Sequence, residues 1–233
     1  MAHARAPGGA AQWFAVYLLS LAAFCAYIDP AWRKTGAFRW PILAGSSAIV
    51  VEQTIITLQS ARGVGSHFNA ATAFDGALYA VMGVGSLALL AMAPLVAMGL
   101  ARHPGQRPIQ GGIREAIVIG LLMTGVLTLA TAGTMAVLGS HRIGAAGEGA
   151  AAWPILGGLG NPGDLRVPHF FATHAMHAVP LAAWAVARWY PLRRGTVLCI
   201  AAIYGAFVAW VFVRSFGGVT IFSRQKIQLA LQN

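Results

Sequence analysis

Long apolar stretches dominate this chain, and nearly all of its cations collect in the short segments between them. Several stretches exceed the roughly 18 residues that carry a helix across a hydrocarbon core. Inside a bilayer the backbone finds no water, so such stretches fold as helices that close their hydrogen bonds internally. Only 9% of the residues are charged and 58% are hydrophobic, whereas a soluble domain is about a quarter charged. The expected fold is therefore an all-α, polytopic integral membrane protein, a six-transmembrane-helix bundle. It forms a single membrane domain over residues 1–233, with helices at about 11–28, 41–61, 73–100, 115–139, 167–187 and 195–215.

The breaks carry turn chemistry or charge. Asp29-Pro30 and the basic cluster behind them end the first span, and Arg62-Gly-Val-Gly ends the second. Thr72 with Asp75 three residues on predicts a capping-box-like start to the third. Arg102-His-Pro-Gly stops that helix and Gly139-Ser-His-Arg the fourth, while Asp164 or a nearby residue is placed to cap the fifth, with Pro168 tolerated in its first turn. The fourth connection, from Ser140 to about Arg166, is the longest, and Trp153-Pro-Ile-Leu within it is an expected interfacial cover.

Charge orients the bundle. Connections one, three and five hold nine cations: Arg33, Lys34, Arg39, Arg102, Arg107, Arg114, Arg188, Arg193 and Arg194. Connections two and four hold three, Arg62, Arg142 and Arg166. The positive-inside rule puts the first set in the cytoplasm of a bacterial-type inner (plasma) membrane and both termini outside. Arg5 ahead of the apolar stretch Trp13–Ile28 resembles a signal peptide, but the cations that follow resist translocation and the first helix is expected to be retained. The net charge of +10 is read as helix orientation and attraction to membrane lipids. No aromatic-interleaved basic stripe suggests nucleic acid. Cys25 and Cys199 lie in apolar runs, without a Cys-x-x-Cys, and read as small packing residues.

Chemistry concentrates on the fifth span. His169, His174 and His177 stand within nine residues at its start, and histidine in lipid needs partners or a ligand. On a continuous helix His174 and His177 share a face, with His169 two turns above His177. The second span carries Glu52, with Gln59 seven residues on and on the same face. If spans two and five are neighbours, Glu52 meets His174 or His177 at a similar depth. Gln59, Arg62, Ser66, His67 and Asp75, with Asp164, Arg166 and His169, would line the mouth of that pocket. The plainer reading makes Asp75 and Asp164 helix caps and lets Arg62 and Arg166 reach for headgroups.

Two membrane families offer comparisons. The histidines resemble those of membrane b-type cytochromes, which would imply one heme near the outer surface between His67 and His169; the two-heme pattern is absent. Ser66, His67, Asp75 and the 169–177 cluster are similar in inventory to the zinc-dependent hydrolases of the ceramidase and adiponectin-receptor kind. The spacings of five and three between the histidines depart from their His-x-x-x-His. Neither membership is claimed.

The leading expectation is a membrane redox protein that binds heme b or a transition metal (iron, copper or zinc) and opens to the outer side. His174 and His177 would be ligands, His169 and His67 alternatives, Glu52 a ligand or proton acceptor. Arg62 and Arg166 would hold an anionic group, with Gln59 and Asp164 behind them. One alternative is a zinc-dependent hydrolase of lipid-like substrates with Glu52 or Asp75 as general base. The other is a transporter, proton-coupled carrier or accessory subunit of a membrane complex, whose histidines form a buried polar network. A complex partner or homo-oligomer is compatible with each.

Overall fold

The computed structural model describes residues 8–143 and 163–216. Every regular element among them is helical: α1 (Gly8–Cys25), α2 (Pro30–Arg33), α3 (Gly36–Ala61), α4 (Ala73–Arg102), α5 (Gly111–Leu138), α6 (Arg166–Thr173), α7 (Ala175–Val186) and α8 (Arg194–Ser215). Four of these, α3, α4, α5 and α8, are long and apolar enough to cross a membrane. Their outer surfaces are apolar as well: Val84 and Ile203 are each 72% exposed and Val137 88%. Water would penalise that surface and acyl chains do not, so the chain is a membrane-embedded protein. Gln12–Cys25 and Ala175–Val186 are shorter apolar helices. The expected cover at Trp153 lies outside the described residues.

Helices α4 and α5 pack together at the centre. Helix α3 runs along α4, while α6, α7 and α8 pack on α5, and α1 leans on α3 and α4. Leu21, Met92, Val96, Leu100, Leu121 and Met176 form the buried seam between these layers. Tyr17 of α1 donates to Leu89 O of α4 at 3.0 Å, fixing the height of the first helix.

The fifth span departs from expectation. It is not one helix from 167 to 187: the chain breaks at His174, between α6 and α7. Pro180, inside α7, supplies no N–H for Met176 O and crowds the turn before it. Backbone groups freed in a bilayer need partners from the protein, and two neighbouring hydroxyls provide them. Thr124 of α5 accepts from Met176 N at 2.9 Å, and Tyr204 of α8 donates to Phe171 O at 2.7 Å. Gly120, one turn below Thr124, lets the broken segment come close; a Cβ there would press on Ala175 O and Pro180.

The two ends of the bundle are stitched separately. At one end, connections one and three pair as short extended strips, Asp29 N to His103 O at 2.9 Å and Gly105 N to Tyr27 O at 2.8 Å. Leu192 packs on Gly112, bringing connection five to the start of α5. At the other end Arg142 pairs with Asp164. The cation-rich connections therefore share one end. Helix ends follow the expected chemistry: Thr72 Oγ1 accepts from Asp75 N at 3.1 Å, and Gly139 closes α5 in the left-handed region at φ 59°.

Replacing either hydroxyl at the break leaves a buried backbone group unpaired, a loss of about 1–3 kcal/mol. Thr124→Val and Tyr204→Phe are each expected to lower the thermal midpoint in mild detergent, with Thr124→Ser close to the parent. An unchanged midpoint in Thr124→Val would show that the break holds without it.

Candidate functional site

The break sets His174 as the cap shared by α6 and α7, and turns its ring toward His177. The two Nδ1 atoms lie 3.2 Å apart. On its far side His177 Nε2 lies 2.7 Å from Ser20 Oγ of α1. With the Ser20 proton given to Val16 O at 2.8 Å, its lone pair receives the Nε2–H of His177. His177 Nδ1 is then an acceptor, and His174 Nδ1–H donates to it. In this order of donors His174 Nε2 is an acceptor, and it has no hydrogen-bond partner among the described residues. Phe170 and Trp13 flank the His174 ring, with centroids at 4.3 and 5.5 Å. Both histidines are only partly covered.

His169 stands apart. Its Nδ1 lies 3.0 Å from Thr131 Oγ1, whose proton is directed to Leu127 O at 3.0 Å. It is a hydrogen-bonded residue that ties α6 to α5. The break also removes the common helix face assumed for the three imidazoles.

Glu52 does not meet His174 or His177. Helix α3 packs along α4, whereas α6 and α7 pack on α5 and α8, so the neighbourhood assumed between spans two and five is not formed. The loop after α3 instead folds back along it, through a left-handed Phe68 at φ 56°, and lays His67 Nε2 3.7 Å from Glu52 Oε1. Ser66 Oγ lies 3.0 Å from the other ring nitrogen. At 3.7 Å the His67–Glu52 contact is an ion-pair distance rather than a hydrogen bond.

The remaining mouth residues form two closed clusters. Asp75, 3% exposed, accepts from Gln59 Nε2 at 2.9 Å, Arg62 Nη1 at 2.7 Å and Thr72 Oγ1 at 2.6 Å. With its oxygens so occupied it acts as a tie between α3 and α4, not as an open general base. Asp164 accepts from Arg166 N at 3.0 Å and Arg166 Nε at 2.9 Å, and Arg166 Nη2 completes a bidentate pair. Gly163, at φ 90°, has Ile143 O where a Cβ would stand, which fixes glycine at this strip.

Among the described residues no group of three or more histidine, cysteine, aspartate or glutamate side chains is arranged to hold a metal ion. The polar partners missed in the sequence are Ser20, Thr124 and Thr131. Thr124 and Thr131 are seven residues apart and share a helix face; this stripe was the legible signal. Comparison with protein-family models, curated proteins and solved structures finds no match.

Asp164 gives the cation-poor end a pH signature. Burial pushes its carboxyl up, but the hydrogen bonds and charge of Arg166, with His141 nearby, hold it below the usual carboxylate range. A lowered folded-state pKa contributes stability in full above the unfolded value near 4 and loses it as pH falls through the folded value. The thermal midpoint is expected to drop on acidification from about pH 5 to 2, and to drop less steeply in Asp164→Asn. Parallel profiles for the two proteins would remove this pair from the account.

Proposed function

We propose that the chain is a six-span protein of a bacterial-type inner membrane that acts as a proton-coupled carrier through the His174–His177 pair. The broken segment α6–α7 and the first helix would complete the six crossings. The cation-rich end would face the cytoplasm, and both termini the outside. One observation carries the functional reading: the ordered chain Ser20–His177–His174 at a helix break, with Nδ1 to Nδ1 at 3.2 Å and Nε2 to Oγ at 2.7 Å. Intramembrane histidines mark proton and solute pathways, and discontinuous helices are where membrane carriers form their sites.

The free His174 Nε2 takes the incoming proton. The resulting imidazolium keeps its Nδ1–H on His177 Nδ1, with the Trp13 and Phe170 rings beside it. A charge in this setting favours an anionic or hydrogen-bonding solute beside it, which couples the two. Helix α1 senses the change through Ser20. The bond between Ser20 and His177 joins two elements that otherwise share little packing, so proton binding and the position of α1 are linked.

The redox or metal reading stands as a second proposal in a narrower form, supported by the two facing Nδ1 atoms. A metal ion would replace the shared proton there, after a change of His177 tautomer and with a third donor from solvent or substrate. These two imidazoles cannot be the axial pair of one heme, because neighbours three residues apart on one segment cannot reach opposite porphyrin faces. No observation favours the zinc hydrolase: Glu52 and Asp75 are engaged in separate pairs.

Proteoliposomes loaded with a pH-sensitive dye and given a potassium-diffusion potential test the carrier. Proton entry several-fold above that of protein-free liposomes is expected for the parent, falling toward background in His174→Ala and His177→Ala. Parent flux at background ends the carrier reading. Visible spectra and elemental analysis of the same preparation test the second: stoichiometric metal lost in His177→Ala would favour it. The orientation has its own check. In a chain with Cys25 and Cys199 replaced by Ala, Ser66→Cys and Ser140→Cys should react with an impermeant thiol reagent on intact cells, and Thr35→Cys only after permeabilisation. The reverse pattern would invert the topology.

A further inference from the structure

A cavity of about 380 Å³ opens at the cation-rich end, lined by Tyr27, Ile109, Gln110, Ile113, Trp184 and Arg188. It lies at the opposite end of the bundle from the mouth residues, where α7 finishes beside the start of α5. We propose that it binds the phosphate headgroup of an anionic phospholipid.

Arg188 carries the argument. Its guanidinium sits 5.5 Å over the Trp184 ring, one helical turn back. Among the described residues no carboxylate, carbonyl or hydroxyl accepts from it. A guanidinium above an indole with no other partner keeps its N–H groups available, and their fork matches a phosphate bidentately. The first N–H groups of α5 open beside it, since Gln110 makes no side-chain cap there, and such groups favour an anion.

Charge balance points the same way. This end has two carboxylates: Glu115 pairs with Arg194 at 3.2 Å, and Asp29 caps α2 by accepting from Ala31 N at 2.9 Å. Nine Lys and Arg in the three connections therefore outnumber the two carboxylates within the described part of this end. The source of the anion follows from the walls. Tyr27 and Trp184 are residues that settle at headgroup level, and Ile109 and Ile113 offer an apolar flank on which acyl chains can lie. A free phosphate would use none of that flank.

Thermal unfolding in a neutral mild detergent separates the sources. Short-chain phosphatidylglycerol is expected to raise the midpoint of the parent in a saturable manner, and phosphatidylcholine or inorganic phosphate is not. Arg188→Gln should abolish the rise and Trp184→Leu weaken it, with Arg142→Gln, at the other end, responding like the parent. Trp184→Leu also serves if Arg188→Gln does not fold. An equal response to phosphatidylcholine, a full response to inorganic phosphate, or a response retained in both Arg188→Gln and Trp184→Leu would each overturn the proposal.

Discussion

The interruption at His174 is the constraint on which the rest of the membrane region depends. A helix that stops in an apolar bundle frees backbone groups that lipid cannot satisfy. Thr124 and Tyr204 reach them from α5 and α8, and Gly120 permits the approach. These contacts tie α7 to α5 and α6 to α8. They also set the direction of the His174 ring, because a residue at the cap of both segments leaves the regular helical face. A continuous helix would have carried the ring elsewhere.

From that geometry, with the Ser20 proton on Val16 O, comes the donor order along Ser20, His177 and His174. The hydroxyl of Ser20 is committed to Val16 O, which orients each imidazole in turn. The first helix is thereby coupled to the broken segment by a polar bond inside an apolar setting, where such a bond is strong and its loss costly. The cation-poor end behaves differently. Its carboxylates are paired within their own connections, Asp75 with Arg62 and Asp164 with Arg166, so they brace the ends of helices and leave the histidine pair as the open chemistry.

Much of the architecture could be read from the residues, but unevenly. Pro30, Arg62, Thr72, Gly139 and Asp164 marked element boundaries because turn and capping chemistry is local. The start of α4 at Thr72–Asp75 shows this most directly. The expected 167–187 helix failed, because the segment's hydropathy is continuous through His174 and the hydroxyls that satisfy the interrupted backbone come from other helices. The pocket joining Glu52 to His174 failed for another reason. Depth along two helices was calculable, but which helix stands beside which was not, and α3 turned out to lie along α4. Thr124 and Thr131 were visible as a stripe yet were overlooked amid the glycine and alanine of α5.

Hydropathy and charge, which are sums over a segment, determined by themselves that this chain is helical, embedded in a membrane and divided into a cation-rich and a cation-poor end. Partner choice is not such a sum. Whether His177 bonds Glu52 or Ser20, and whether Arg188 is neutralised or left free, depends on lateral order and on rotations of a few tens of degrees. Those are fixed by side chains packing across helices far apart in the chain, and only the tertiary structure decided them.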